Sequence, residues 1–174
     1  MSATEPENDD AADDEGSPHR LAVRVYYEDT DFSGFVYHAS YLRFLERGRT
    51  ELLRDLAGDQ SDLHREARGL VFVVRRMSLD FIRPARMDDL LTILTRTRVL
   101  RGASMQLAQE VRRGGERLVA AEVTVACVRD GRAVRLPDGL RQRFASPSAD
   151  QPDRKSGSAG MPRPYSRSRM PSSA

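Results

Sequence analysis

Residues 24–51, RVYYEDTDFSGFVYHASYLRFLERGRTE, hold the features from which the rest of the chain can be placed. They begin within an alternating segment, Leu21–Tyr27. Leu21, Val23, Val25 and Tyr27 fall on one side of it and Arg24 and Tyr26 on the other, the period-two pattern of a half-buried strand. Glu28–Gly34 breaks the pattern with three carboxylates, Thr30, Ser33 and Gly34, a composition that reads as a loop or tight turn. Ala39–Leu56 then changes period. At about 100° per residue, Tyr41, Leu42, Phe44, Leu45, Leu52, Leu53 and Leu56 share one half of the circumference, opposite Arg43, Arg47, Thr50 and Arg54. That is a helix with one core face and one wet face. Gly48 lies inside the apolar face, where a missing side chain lets a helix approach a sheet closely although it costs ~1 kcal/mol of helix propensity. Ser40 is the expected N-cap and Gly58 the C-terminal stop.

Working outward, Asp59–Arg68 is a polar connection of irregular or short helical form, and after Gly69 the pattern turns to strands. Leu70–Ile82 is β-branched and aromatic and ends at Arg83-Pro84. Asp89–Leu100 alternates around Leu91, Ile93 and Thr95. Ser104–Arg112 and Arg117–Val128 follow, with Gly114-Gly115 supplying a hairpin turn at Arg113–Glu116, and Arg132–Leu136 is a last short run before Pro137. One strand, one long helix and four or five antiparallel strands define an α+β class. The expected architecture is a curved antiparallel sheet of about five strands wrapped around a central helix. A single helix leaves much of the sheet uncovered, so self-association through the sheet or its edge is expected.

Composition sets the limits of this unit. Residues 1–20 carry seven carboxylates and one arginine, and residues 146–174 are rich in Ser, Pro and Arg without apolar period. Neither can bury enough apolar surface to offset chain entropy, so both are expected to be disordered tails around a folded domain at 21–145. The charge divides as −6, +5 and +3 across these three segments. The basic domain suits a polyanionic ligand such as a nucleotide as well as it suits a solvated surface. Lys155 is the only lysine. Cys127, the only cysteine, sits in an apolar run and reads as core filler. An acidic N-terminus without a signal-peptide pattern, and no apolar run of membrane-spanning length, point to a soluble, cytoplasmic protein with no stable membrane insertion. No nucleic-acid partner is expected.

Chemistry is best sought where the strand meets the helix. Glu28, Asp29 and Asp31 place three carboxylates within four residues; crowding and desolvation would raise at least one pKa toward a general-base value. Asp, Thr, Ser and Gly are also ordinary turn formers. Gly34-Phe35-Val36 leads into the helix, whose first N–H groups are free to stabilise a developing oxyanion, and Gly34 allows a ligand to approach the backbone. His38, near the helix start, could orient a carbonyl, relay a proton, or simply cap and pack. A carboxylate a few residues before unsatisfied amides is a minimal acyl-transfer site.

The run Tyr27-Glu28-Asp29-Thr30-Asp31-Phe32-Ser33-Gly34-Phe35-Val36-Tyr37-His38, followed by Tyr41 and Glu46-Arg47-Gly48-Arg49-Thr50-Glu51, resembles the 4-hydroxybenzoyl-CoA thioesterase family of hotdog-fold enzymes. It is most similar to that family's Tol-Pal-associated acyl-CoA thioesterase branch. Phe81-Ile82-Arg83-Pro84-Ala85, Asp88-Asp89 and Ser104 fit the same pattern. The resemblance implies Asp31 as the catalytic carboxylate, amides around Gly34, Phe35 and Val36 as oxyanion donors, Tyr27 and His38 as supporting residues, and Arg101 as a contact to CoA phosphates. It implies an acyl-CoA substrate, with acyl carrier protein as the other possible carrier, no metal or other cofactor, and a homodimer or homotetramer. Phe32 departs from the small residue usual there, which bears on the width of the acyl pocket. Two other functions are consistent with this fold: a non-catalytic acyl-CoA or acyl-carrier-protein binding scaffold, and a dehydratase, whose chemistry would rather need a histidine at the reactive joint.

Overall fold

The computed structural model describes residues 17–57 and 69–145. In chain order these form β1 (His19–Arg24), a short 3-10 turn (Tyr27–Asp29), α1 (His38–Ala57), β2 (Leu70–Phe81), β3 (Leu90–Leu100), β4 (Ser104–Arg113), β5 (Glu116–Arg129), β6 (Arg132–Ala133) and α2 (Asp138–Ala145). The strands form one sheet in the order β1-β3-β4-β5-β2, every pairing antiparallel, with β6 added at the end of β5. The sheet around one long helix is the architecture the periodicities predict. The β4–β5 hairpin turns at Gly114, whose φ of 56° is a conformation that side chains disfavour.

Alternation decides which face of the sheet meets α1. Leu91, Ile93 and Thr95 of β3, and Met105, Leu107, Gln109 and Val111 of β4, are buried, as are Tyr41, Phe44, Leu45, Leu52 and Leu56 of the helix. Each large apolar side chain so buried contributes about 1.5–3 kcal/mol. Cys127 is part of this core.

Between a cluster around Tyr41, Phe44 and Val111 and a second around Leu52, Met105 and Phe144 lies a polar waist. There Gln109 donates to the Leu45 carbonyl and to Thr95 Oγ1, both at 2.9 Å, and accepts from Arg49 at 2.8 Å. Gly48 faces this waist, and a Cβ placed on it would lie 2.7 Å from Ile93 Cγ2. The close helix-to-sheet approach expected at Gly48 is therefore present.

Four local expectations need correction. The first strand ends at Arg24, and although Val25 remains buried, Tyr27 is 79% exposed because the chain turns away through the 3-10 turn. Ser40 is no N-cap: α1 begins at His38, and Ser40 is buried in its first turn with its Oγ accepting from Arg43. The last strand is two residues long. After it comes an unexpected helix, α2, which buries Leu140 and Phe144 and is fastened by Arg141 to the Arg101 carbonyl and by Arg143 to the Leu56 carbonyl. The expectations for Gly58, residues 59–68, residues 1–16 and residues 146–174 lie outside the described residues, while His19 and Arg20, expected in the N-terminal tail, begin β1. Among the described residues no helix is long and apolar enough to cross a membrane.

Candidate active site

The three carboxylates of the turn occupy different environments. Asp29 is buried at 3% exposure; its Oδ2 accepts the Tyr26 N–H at 3.0 Å, and Arg43 stands 3.9 Å from its Oδ1. It holds the 3-10 turn in shape. Glu28 is exposed. Asp31, also exposed, begins a turn closed by its own atoms: its N–H donates to the Phe35 carbonyl at 2.9 Å, and its carbonyl accepts from Gly34 at 3.0 Å. Ser33 donates to Asp31 Oδ1 twice, through its hydroxyl and through its N–H at 2.8 Å. Gly34, at φ 78°, closes the turn in the left-handed region.

These bonds set the protonation of Asp31. The Ser33 hydroxyl, then the Ser33 N–H, hold its carboxyl below the usual carboxylate range, and the nearby charge of His38 acts in the same direction. The upward shift anticipated from crowding and desolvation is absent because water reaches the group and Asp29 turns inward. Asp31 is a fixed anion at neutral pH.

The amide donors are only partly those suggested by the Gly34–Val36 run. Gly34 donates to Asp31, and Val36 donates to the Ala85 carbonyl at 2.9 Å. A local bridge from Thr30 to Val36 and a long-range one from Phe35 to Arg86 create this arrangement. Phe35 N–H is left without a partner among the described residues, while the amides of His38 and Ala39 lie in the first turn of α1, where no intrahelical carbonyl serves them.

His38 opens α1 on the exposed side. Its ring lies 4.3 Å from that of Tyr37 and 6.5 Å from that of Phe81. Together with Val36, Tyr41, Ile82, Arg83 and Pro84, His38 and Phe81 line a cleft of about 250 Å³. Asp31 is not among the residues that line this cleft; it is linked to the helix start by the influence of His38 on its carboxyl. Tyr27 contributes its carbonyl, which accepts the Thr30 hydroxyl at 2.8 Å, while its ring stands in solvent.

Arg101 lies elsewhere. Leu90, at the near end of β3, pairs with Arg24, whereas Arg101 follows Leu100 at the far end. Eleven residues at about 3.3 Å each separate the two ends by roughly 30 Å within one chain. Ser33 and Tyr41 are neighbours of the site that sequence reasoning did not single out as functional. The Asp-x-Ser spacing of an Asx turn was the available signal for Ser33. Among the described residues no three His, Cys, Asp or Glu side chains gather to hold a metal ion.

Residues 33–120 match the profile of the thioesterase superfamily. The acyl-CoA thioester hydrolase YbgC of Escherichia coli O6:H1 is 47% identical over 110 residues, 63% of this chain and 81% of that protein. A probable thioesterase from Bartonella henselae superposes with a TM-score of 0.61 at 46% identity, over 70% of this chain and 99% of its own. A thioesterase from Thermus thermophilus, solved with coenzyme A and zinc, gives a TM-score of 0.62 at 30% identity over 75% and 93% of the two chains.

Proposed function

The chain belongs to the thioesterase superfamily, has its hotdog fold and is an acyl-CoA thioester hydrolase, and from that premise we propose that Asp31 is its nucleophile. The supporting observation is the Asp31 carboxylate, ionised and oriented by Ser33 beside a helix start with unpaired amides. Asp31 adds to the thioester carbonyl carbon, the amides of the α1 start and of Phe35 stabilise the oxyanion, and the C–S bond breaks to release CoA thiolate. Water then hydrolyses the mixed anhydride to free acid and restores Asp31. General-base activation of water is the other role open to the same carboxylate, and isotope labelling divides the two routes. His38 orients the carbonyl or relays a proton at the cleft mouth.

Replacing Asp31 with Asn retains size and removes charge. Hydrolysis of an acyl-CoA panel, followed by free-thiol detection, is expected to fall to background; retention of the wild-type rate would remove Asp31 from the mechanism. A single turnover in ¹⁸O-water tests the anhydride route, since label enters the Asp31 carboxyl only when water opens the anhydride at the aspartyl carbon. The Thermus relative was solved with coenzyme A, which supports CoA rather than a carrier protein as the thiol carrier. A CoA thioester substrate in turn fits a cytoplasmic location.

The working unit in this reading is a homo-oligomer. β2 is an edge strand of twelve residues with Val71, Val73, Val74 and Phe81 all exposed, and a long apolar edge of this kind is an open template for a second strand. Pairing two copies there would also bring in a second chain's residues, which is how the distant Arg101 could contact a CoA bound near Asp31.

A further inference from the structure

With the Gly34 and Val36 amides engaged, an oxygen that accepts two hydrogen bonds on becoming an oxyanion has fewer backbone donors than the sequence suggested. We propose that the Tyr41 hydroxyl is a further catalytic group of this site, donating a hydrogen bond to the thioester carbonyl oxygen. The inference rests on the cleft being the thioester site. Tyr41 is 3% exposed and forms part of the cleft lining. Its oxygen accepts the N–H of the fully buried Ala85 at 2.8 Å, so one lone pair is committed, while its proton has no acceptor among the described residues. The Ala85 carbonyl in turn takes the Val36 N–H, tying the hydroxyl to the segment that leads into α1.

Orientation and protonation both favour a donor. Tyr side chains on helices lean back toward the N-terminus, and Tyr41 lines the same cleft as His38 at the helix start. The ring is wedged edge-on between Phe44, with centroids 6.1 Å apart, and Phe81, at 5.8 Å. Burial pushes the phenol pKa up, so the proton stays on the oxygen. Of the other side-chain donors lining the cleft, His38 is exposed, and Arg83 is 60% exposed and spans 3.3 Å to Glu116. Tyr41 alone is both buried and locked. In the reaction the carbonyl π pair moves onto oxygen as Asp31 adds, Tyr41 stabilises that charge without giving up its proton, and the pair returns as thiolate departs.

Tyr41→Phe is expected to lower kcat about 100-fold on the acyl-CoA that the wild type hydrolyses fastest, with KM little changed. Because this substitution also deprives Ala85 N–H of its acceptor, Tyr41 is in addition replaced site-specifically by 2-fluorotyrosine and 3-fluorotyrosine, which keep ring and oxygen and strengthen the donor. Below the phenol pKa, kcat should rise in the order of phenol acidity. A Tyr41→Phe enzyme with wild-type kcat, or a fluorinated series with flat kcat, overturns the proposal. Asp31→Asn is assayed in parallel; full activity there refutes the carboxylate's role without touching the Tyr41 result.

Discussion

Gly48→Ala tests whether the distance between α1 and the sheet is set by a missing methyl group. In an exposed helix this change would stabilise by ~1 kcal/mol. Here the new Cβ meets Ile93 Cγ2 at 2.7 Å, Thr95 Oγ1 at 3.2 Å and Gln109 Nε2 at 3.4 Å. Ile93 Cγ2 is a branch methyl of a fully buried residue and cannot swing aside, so either α1 lifts or β3 bends, at an overpacking cost of about 1–3 kcal/mol. Set against the propensity gain, the net is a loss of about 0–2 kcal/mol, seen as a lower urea midpoint at unchanged slope. Ile93→Ala removes the obstructing methyl. In that background Gly48→Ala should change sign and stabilise by up to ~1 kcal/mol, leaving Thr95 Oγ1 as the tightest neighbour. If Gly48→Ala stabilises the otherwise wild-type protein, or if its effect is the same in both backgrounds, close approach at Gly48 does not set the spacing.

Ser33→Ala removes the largest influence holding the Asp31 carboxyl low, so its pKa rises. Since the anion is the reactive form, the acidic limb of the kcat/KM profile should move to higher pH, and an unmoved limb would detach Ser33 from the chemistry. Phe144→Ala empties a buried site of α2 and should cost about 3–5 kcal/mol in urea titration, whereas a near-neutral result would mean α2 adds little to the core. Val73→Lys on the exposed edge should yield monomers by light scattering, and an unchanged mass would move the interface elsewhere.

α1 and β3 were legible from apolar periodicity and β2 from its β-branched and aromatic composition, although Leu42, placed on the core face of the helix, is 40% exposed. Gly48 was legible too, as a glycine inside an otherwise continuous apolar face. α2 escaped although Leu136, Leu140 and Phe144 recur every fourth residue around Pro137, because so short a pattern beside a polar tail carries little weight alone. Tyr27 continued the alternation of β1 in sequence, yet the Asp29 carboxylate caps a turn that ends it. At the candidate site, local spacing pointed to the acidic turn, Gly34 and His38, and only the family resemblance singled out Asp31 among the three carboxylates. Which amides stay free could not be named from spacing, since Val36 is taken by Ala85 and Phe35 is bridged to Arg86, partners about fifty residues away in sequence. Arg101 could not be located from local spacing either, because its distance from Asp31 depends on strand length and register.

The self-closed turn around Asp31 bears on the timing of order. Its hydrogen bonds among Asp31, Ser33, Gly34 and Phe35 are complete in the absence of any substrate. The entropy of fixing the carboxylate is therefore lost during folding rather than at each encounter with a thioester, and binding energy is left for orienting the acyl group. The same turn carries Phe32 at its tip, fully exposed to solvent.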